Sequence, residues 1–203
     1  MSTLKKAGAA SAGAILLATP FIANWEGLWT TAQVDTIGTG RPVTYCYGQT
    51  DEFGKVAVGT KFTPKQCSDL LAKSLPKYAD AIAKCIKVPI SDKENAAYIA
   101  FAYNIGSAGA CRSSSFALLN RGDHVGACNA LMGWVKAQGR VVKGLVNRRT
   151  AERKLCLEGV NEPATQRVPM PKPAPNKPIE PKKPEPPSMW ERIKLVFRFI
   201  WKG

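Results

Sequence analysis

Residues 61–75, KFTPKQCSDLLAKSL, mark where the chain changes period. Before them, Gly38, Gly40, Pro42, Gly48, Gly54 and Gly59 punctuate β-formers such as VTYCY, which predicts a small antiparallel sheet with tight turns over residues 35–60. At Thr63 the pattern turns helical. TPKQ is a capping box with proline at the first helical position, and apolar residues continue through Ile86. A second capping box, SDKE at 91–94, opens AAYIAFAYNIG, which stops at Gly106. Further helices are expected near 113–120, 123–136 and 145–157. A sheet followed by a run of helices is an α+β plan.

Outward from this centre lie two segments of different character. Ala7 to Asn24 carries no charge and is rich in Ala, Gly, Ser and Thr around AILLA, behind a basic MSTLKK start. It is just long enough to cross a bilayer, and the lysines before it predict a cytoplasmic N-terminus. Residues 161–187 hold ten of the fifteen prolines and read as an extended linker. Beyond it, SMWERIKLVFRFIWKG puts Trp190, Ile193, Phe197, Ile200 and Trp201 on one helical face, with Glu191, Lys194, Arg198 and Lys202 opposite. This segment is too short to span and suits the surface of an anionic membrane or, alternatively, docking on the main domain. The expected domains are 1–23, an apolar anchor; 24–160, the main globular body; 161–187, the linker; and 188–203, the cationic amphipathic helix.

The 203 residues have a formal net charge of +14, which points to a polyanionic partner such as nucleic acid, an anionic membrane or an anionic wall. No dense basic tract and no nucleic-acid motif occurs, so nucleic acid has no support. The six cysteines (Cys46, Cys67, Cys85, Cys111, Cys128, Cys156) form no CxxC pair, and His124 is the only histidine. A metal site is therefore not expected, and no cofactor is implied. An even set of dispersed cysteines behind an apolar segment reads as three disulfides in an oxidising compartment. His124, beside Asp123 in a turn, is expected to be exposed. A Ser-His-Asp hydrolase would use it, but SSS at 113–115 is no nucleophile elbow.

Glu26, Asp35 and Thr44 are the candidate chemical residues. A glutamate at a helix end, an aspartate on the next strand and a threonine on the strand after can face one cleft. Two carboxylates across a glycosidic bond are the working parts of a glycosidase: one protonates the leaving oxygen, the other orients water or stabilises positive charge on the sugar. By spacing alone, such a pair is more often solvated surface.

The wider pattern adds to this. EGLWTTAQVD, VTYCYGQT, TPKQC, FAYNIG, CRSSSFALLN, GDHVGACNALMGWVKAQGR and GLVNRRTAERKLC, in this order over residues 22–158, resemble the phage-type lysozymes, endolysins that cut bacterial peptidoglycan. The resemblance implies a lysozyme-like fold, with a small antiparallel sheet beside a helical lobe, acting on peptidoglycan as a monomer. It assigns Glu26 as general acid, Asp35 as the acid that holds the water, and Thr44 as their partner. The Asp-to-Thr gap departs from the family's five residues: it holds eight, TIGTGRPV, which leaves Thr39 as an alternative partner. Thr50 and Asn104 are expected to line the cleft, and an arginine of Arg148 and Arg149 to pair with Glu26 or a neighbouring acid. Helix-surface charge is the plain alternative for those arginines, as a helix-end hydrogen bond is for Asn104. Tyr98, Phe101 and Tyr103 are expected in the core.

Six cysteines permit fifteen pairings. Topology favours Cys46–Cys67 tying sheet to helix, Cys85–Cys111 bracketing the YNIG helix and Cys128–Cys156 closing the last helices.

The apolar N-terminal segment then has three readings: a cleaved signal peptide, a permanent anchor, or a signal-anchor-release segment that tethers the enzyme to the inner membrane and later leaves for the periplasm. Cleavage after Ala23 puts Phe21 at the −3 position, where a small residue is wanted, and removes the helix that Glu26 should end. Release is favoured, with Ala7–Ile22 refolding as that helix. The rival functions are a membrane-active or wall-binding protein with an inactive lysozyme-like fold, and a lytic transglycosylase.

Overall fold

The computed structural model describes residues 11–35, 42–50 and 53–163. Residues 36–41 with Thr39, nearly all of the proline-rich segment and residues 188–203 lie outside the described residues.

Ser11 opens α1 (Ala12–Ala23), its hydroxyl accepting the Ala14 N–H at 3.0 Å. Ala14, Ala18 and Ile22, at i, i+4 and i+8, form a fully buried stripe on α1, while Leu16 is 75% exposed. The apolar N-terminal run thus supplies a helix of the core. Among the described residues no helix is long and apolar enough to cross a membrane.

β1 (Trp29–Val34) pairs antiparallel with β2 (Val43–Cys46), with Gln33 opposite Thr44 and Val34 opposite Val43. On its other edge, β1 bonds residues 59–62: Ala32 N–H donates to Thr60 O and Phe62 N–H to Thr30 O, both at 2.8 Å. The sheet region therefore begins at Trp29, not near residue 35. The β-branched and aromatic residues of WTTAQV already carry strand preference. Tyr45 stacks on Phe62 at 5.2 Å beneath this sheet, beside the Cys46–Cys67 disulfide.

α2 (Pro64–Ala83) starts with the Thr63/Gln66 capping box, and α3 (Asp92–Ile105) with the Ser91/Glu94 box. α3 is buried continuously from Glu94 to Asn104, so it runs through the middle of the helical lobe. It stops at Gly106, whose φ of 86° is a conformation that costs glycine little. A short α4 (Ser107–Cys111) follows, then α5 (Ser114–Leu119) and α6 (His124–Ala130). The helix expected through residue 136 is cut at Ala130. A 3₁₀ turn over Leu131–Gly133 leads into the hairpin of β3 (Lys136–Ala137) and β4 (Arg140–Val141). Gln138 and Gly139 both have positive φ, as a tight two-residue hairpin requires. The last helix, α7 (Lys143–Val160), packs against α3 and carries Arg148 and Arg149 into the interior.

The core gathers α1, α2, α3 and the small helices around Tyr98, Phe101 and Phe116. Three disulfides fasten it: Cys46–Cys67 joins sheet to α2, Cys85–Cys111 joins the end of α2 to α4, and Cys128–Cys156 joins α6 to α7.

Candidate active site

Glu26 lies three residues past the end of α1. The chain leaves the helix in a tight turn, with the Trp25 and Glu26 N–H groups both donating to Ile22 O, at 2.9 and 3.1 Å. That turn directs Glu26 into the interior, where its side chain is 1% exposed. Arg148 Nη1 lies 2.7 Å from Glu26 Oε1 and donates to it. A charge-assisted contact of this kind holds a carboxyl group in one orientation.

Arg148 is held from three sides. Its Nε donates to Glu152 Oε1 at 3.1 Å, and Nη2 reaches Ala100 O of α3 at 3.4 Å. Arg149, fully buried, donates from Nη2 to Glu152 Oε1 and to Asn104 Oδ1, both at 2.9 Å, and lies over the Phe101 ring. Glu152 therefore bridges two arginines, and a continuous polar chain runs Asn104–Arg149–Glu152–Arg148–Glu26. Burial alone would lower the pKa of Arg148, but the Glu26 and Glu152 carboxylates overcome it and raise it. Arg149 is lowered to about 10, by burial first and by neighbouring Arg148. Burial raises the Glu152 carboxyl against the pull of both arginines.

Asp35 and Thr44 sit on the β1–β2 hairpin, and both are buried. Asp35 N–H donates to Pro42 O at 2.8 Å, which continues the strand register one step past Val34. Thr44 faces Gln33 across the pair, and Asp35 is two residues on from Gln33. The strand period places Asp35 and Thr44 on one face, as diagonal neighbours.

Asn104 is buried at the end of α3 and lines a cavity of about 200 Å³ with Trp134, Lys136 and Gln138. Thr50 is also buried, and its carbonyl accepts from Tyr45 Oη at 3.4 Å; it is not among that cavity's lining residues.

Three features escaped the sequence reading. Glu152 follows Arg149 by three residues and Arg148 by four, so helical spacing could have revealed it. Tyr103 donates to Tyr47 O at 2.7 Å and lies within the field of Glu26; burial first, then that charge, pushes its hydroxyl pKa well up. His124, expected to be exposed, has a side chain only 13% exposed, with Nδ1 2.5 Å from Oε1 of the fully buried Glu94. The fold of α6 against α3 makes this contact, across 30 residues of sequence. Among the described residues, no group of three His, Cys, Asp or Glu side chains is placed to hold a metal.

The family described as phage lysozyme matches residues 23–152. A SAR-endolysin of Bacteriophage PS119 is 35% identical over 157 residues, 74% of this chain and 91% of its own length. The SAR-endolysin of Pseudomonas phage phiKMV is 38% identical over 137 residues, 66% of this chain and 81% of its own. Among solved structures, an endolysin from Escherichia coli O157:H7 phage FAHEc1 superposes with a TM-score of 0.61 at 28% identity, covering 78% of this chain and 97% of that one. The match begins at the last residue of α1 and ends on Glu152, so it takes in the whole Glu26–Arg148–Glu152 chain as well as the hairpin, and on that ground the protein belongs to the phage lysozyme family.

Proposed function

We propose that this chain is an endolysin that hydrolyses the β-1,4 bond between N-acetylmuramic acid and N-acetylglucosamine in peptidoglycan. The observation that carries the reading is a glutamate, Glu26, locked in a buried orientation by Arg148, in a chain whose relatives are endolysins. Glu26 gives its proton to the leaving oxygen. Asp35, ionised, holds a water or stabilises the positive charge that develops on the sugar, and Thr44 beside it fixes that water. Asn104 and Thr50 contribute to the substrate cleft. The net charge of +14 favours an anionic wall by long-range attraction.

The test is digestion of purified peptidoglycan by the whole protein and by Glu26→Gln. Hydrolysis releases muropeptides with hydrated reducing ends, and Glu26→Gln releases essentially none. Products lighter by one water mean a lytic transglycosylase. No release by the wild type means a wall-binding or membrane-active protein.

Export follows the same reading. Residues 7–24 tether the chain to the inner membrane, then leave it and supply α1 in the periplasm. The relatives' name, SAR-endolysin, and the weakly hydrophobic composition of the segment support this. The soluble enzyme recovered after the membrane potential is collapsed should have the full-length mass; loss of the first residues through Ala23 means signal-peptide cleavage. The Trp/Phe/Ile pattern of residues 188–203 is read as a contact with an anionic membrane, and its deletion should abolish binding to anionic liposomes.

A further inference from the structure

A general acid must hold a proton, yet Glu26 faces a guanidinium at 2.7 Å. A cation so close, in a buried site, favours the ionised carboxylate. The geometry supplies the counterweight. Glu152 Oε1 accepts from Arg148 Nε at 3.1 Å and from Arg149 Nη2 at 2.9 Å, and its side chain is 0% exposed. Glu152 thus competes with Glu26 for the same arginine from the opposite side, and its contact with Nε sets the plane of the guanidinium that presents Nη1 to Glu26.

We infer that Glu152 is the positioning residue of the active site: through Arg148 it aims the donor at Glu26 and offsets the positive charge that would otherwise strip the Glu26 proton. This inference rests on the reading of Glu26 as general acid. Among the described residues, the charged or titratable groups in the field of Glu26 include Arg148, Arg149 and Glu152 of α7 and Tyr103 of α3. Arg148 and Arg149 favour the carboxylate; Glu152 and Tyr103 do not. Glu152 carries the negative charge that balances the second arginine. Replacing it with a neutral isostere leaves the pair of guanidiniums balanced by Glu26 alone.

The experiment compares the whole wild-type protein with Glu152→Gln by two readouts. One is the titration midpoint of Glu26, followed by carboxyl carbon NMR and assigned with Glu26→Gln. The other is the pH dependence of peptidoglycan hydrolysis. In Glu152→Gln the Glu26 midpoint falls by about one unit, and the basic limb of the pH–rate profile moves down with it, because one favourable charge contact is worth about that much. At pH values above the limb, kcat falls roughly tenfold while KM holds. A folded Glu152→Gln with an unmoved Glu26 midpoint overturns the inference. A midpoint that falls in a protein whose wild type does not cut peptidoglycan upholds the coupling and overturns the glycosidase reading. If Gln at this position prevents folding, Glu152→Asp carries the test. Aspartate keeps the charge but is one methylene too short to span both guanidiniums, so the Glu26 midpoint stays in place and kcat drops several-fold. Wild-type kcat in Glu152→Asp overturns the positioning role.

Discussion

The Ser11 hydroxyl donates to Asp92 Oδ1, tying the first turn of α1 to the first turn of α3 across 81 residues of sequence. The same Asp92 carboxylate occupies the space that a side chain at Gly13 would need. One acidic side chain therefore both anchors the helix and sets how closely it approaches. Ser11→Ala removes a cap as well as the anchor, and should cost about 1 kcal/mol in urea denaturation. Gly13→Ala should cost more than the helix propensity of alanine returns, since Asp92 must move.

The buried stripe of α1 gives a sharper contrast. Ala18→Leu adds volume where there is none and should destabilise by about 1–3 kcal/mol. Leu16→Gln, on the 75% exposed side, should stay within about 0.5 kcal/mol of wild type. Equal effects at the two positions in thermal melts would mean that α1 is not seated in this register.

Arg148→Met leaves Glu26 and Glu152 buried without their shared cation. Breaking a buried pair in this way should cost about 3–5 kcal/mol, read from chemical denaturation at neutral pH. Arg148→Lys keeps the charge but loses the fork that reaches Glu26, Glu152 and Ala100 O together, so it should restore part of the stability and little of the activity.

Alkaline pH should unfold the protein through its tyrosines. Burial first, then the charge of Glu94, raises Tyr98 far above its ordinary value; burial, then Glu26, does the same to Tyr103. The folded state then holds protons that the unfolded state gives up above about pH 10. Stability is fully present below that pH and is lost as pH rises beyond it. Following absorbance and ellipticity together from pH 9 to 12, these two hydroxyls should ionise only with unfolding. Tyr98→Phe should flatten the loss.

Much of this architecture was legible because its signals are local. Both capping boxes lie within four residues, and each starts its helix where expected. Glu26 follows a helix and Thr44 lies on β2, as expected, whereas Asp35, expected on a strand, falls one residue past the end of β1. The hairpin at 136–141 was hidden because its turn is Gln-Gly, not the Asn-Gly or Asp-Gly that signals such turns. The His124–Glu94 contact was hidden for a different reason. It depends on α6 lying against α3, which no periodicity encodes, and it converts an apparently idle histidine into the partner of a buried carboxylate. Glu152 was in plain view at helical spacing, yet only its burial distinguishes it from surface charge.

The three disulfides close loops that begin at Cys46 and end at Cys156. α1 precedes them all. The covalent framework can be completed, ring by ring, with its first helix still elsewhere, and nothing covalent then prevents that helix from entering or leaving beyond its simple attachment to the chain. Glu26 follows that helix outside every ring, whereas Arg148 and Arg149 lie inside the ring closed by Cys128–Cys156, so the ion pair at the candidate site ties the part of the fold without cross-links to the part that has them.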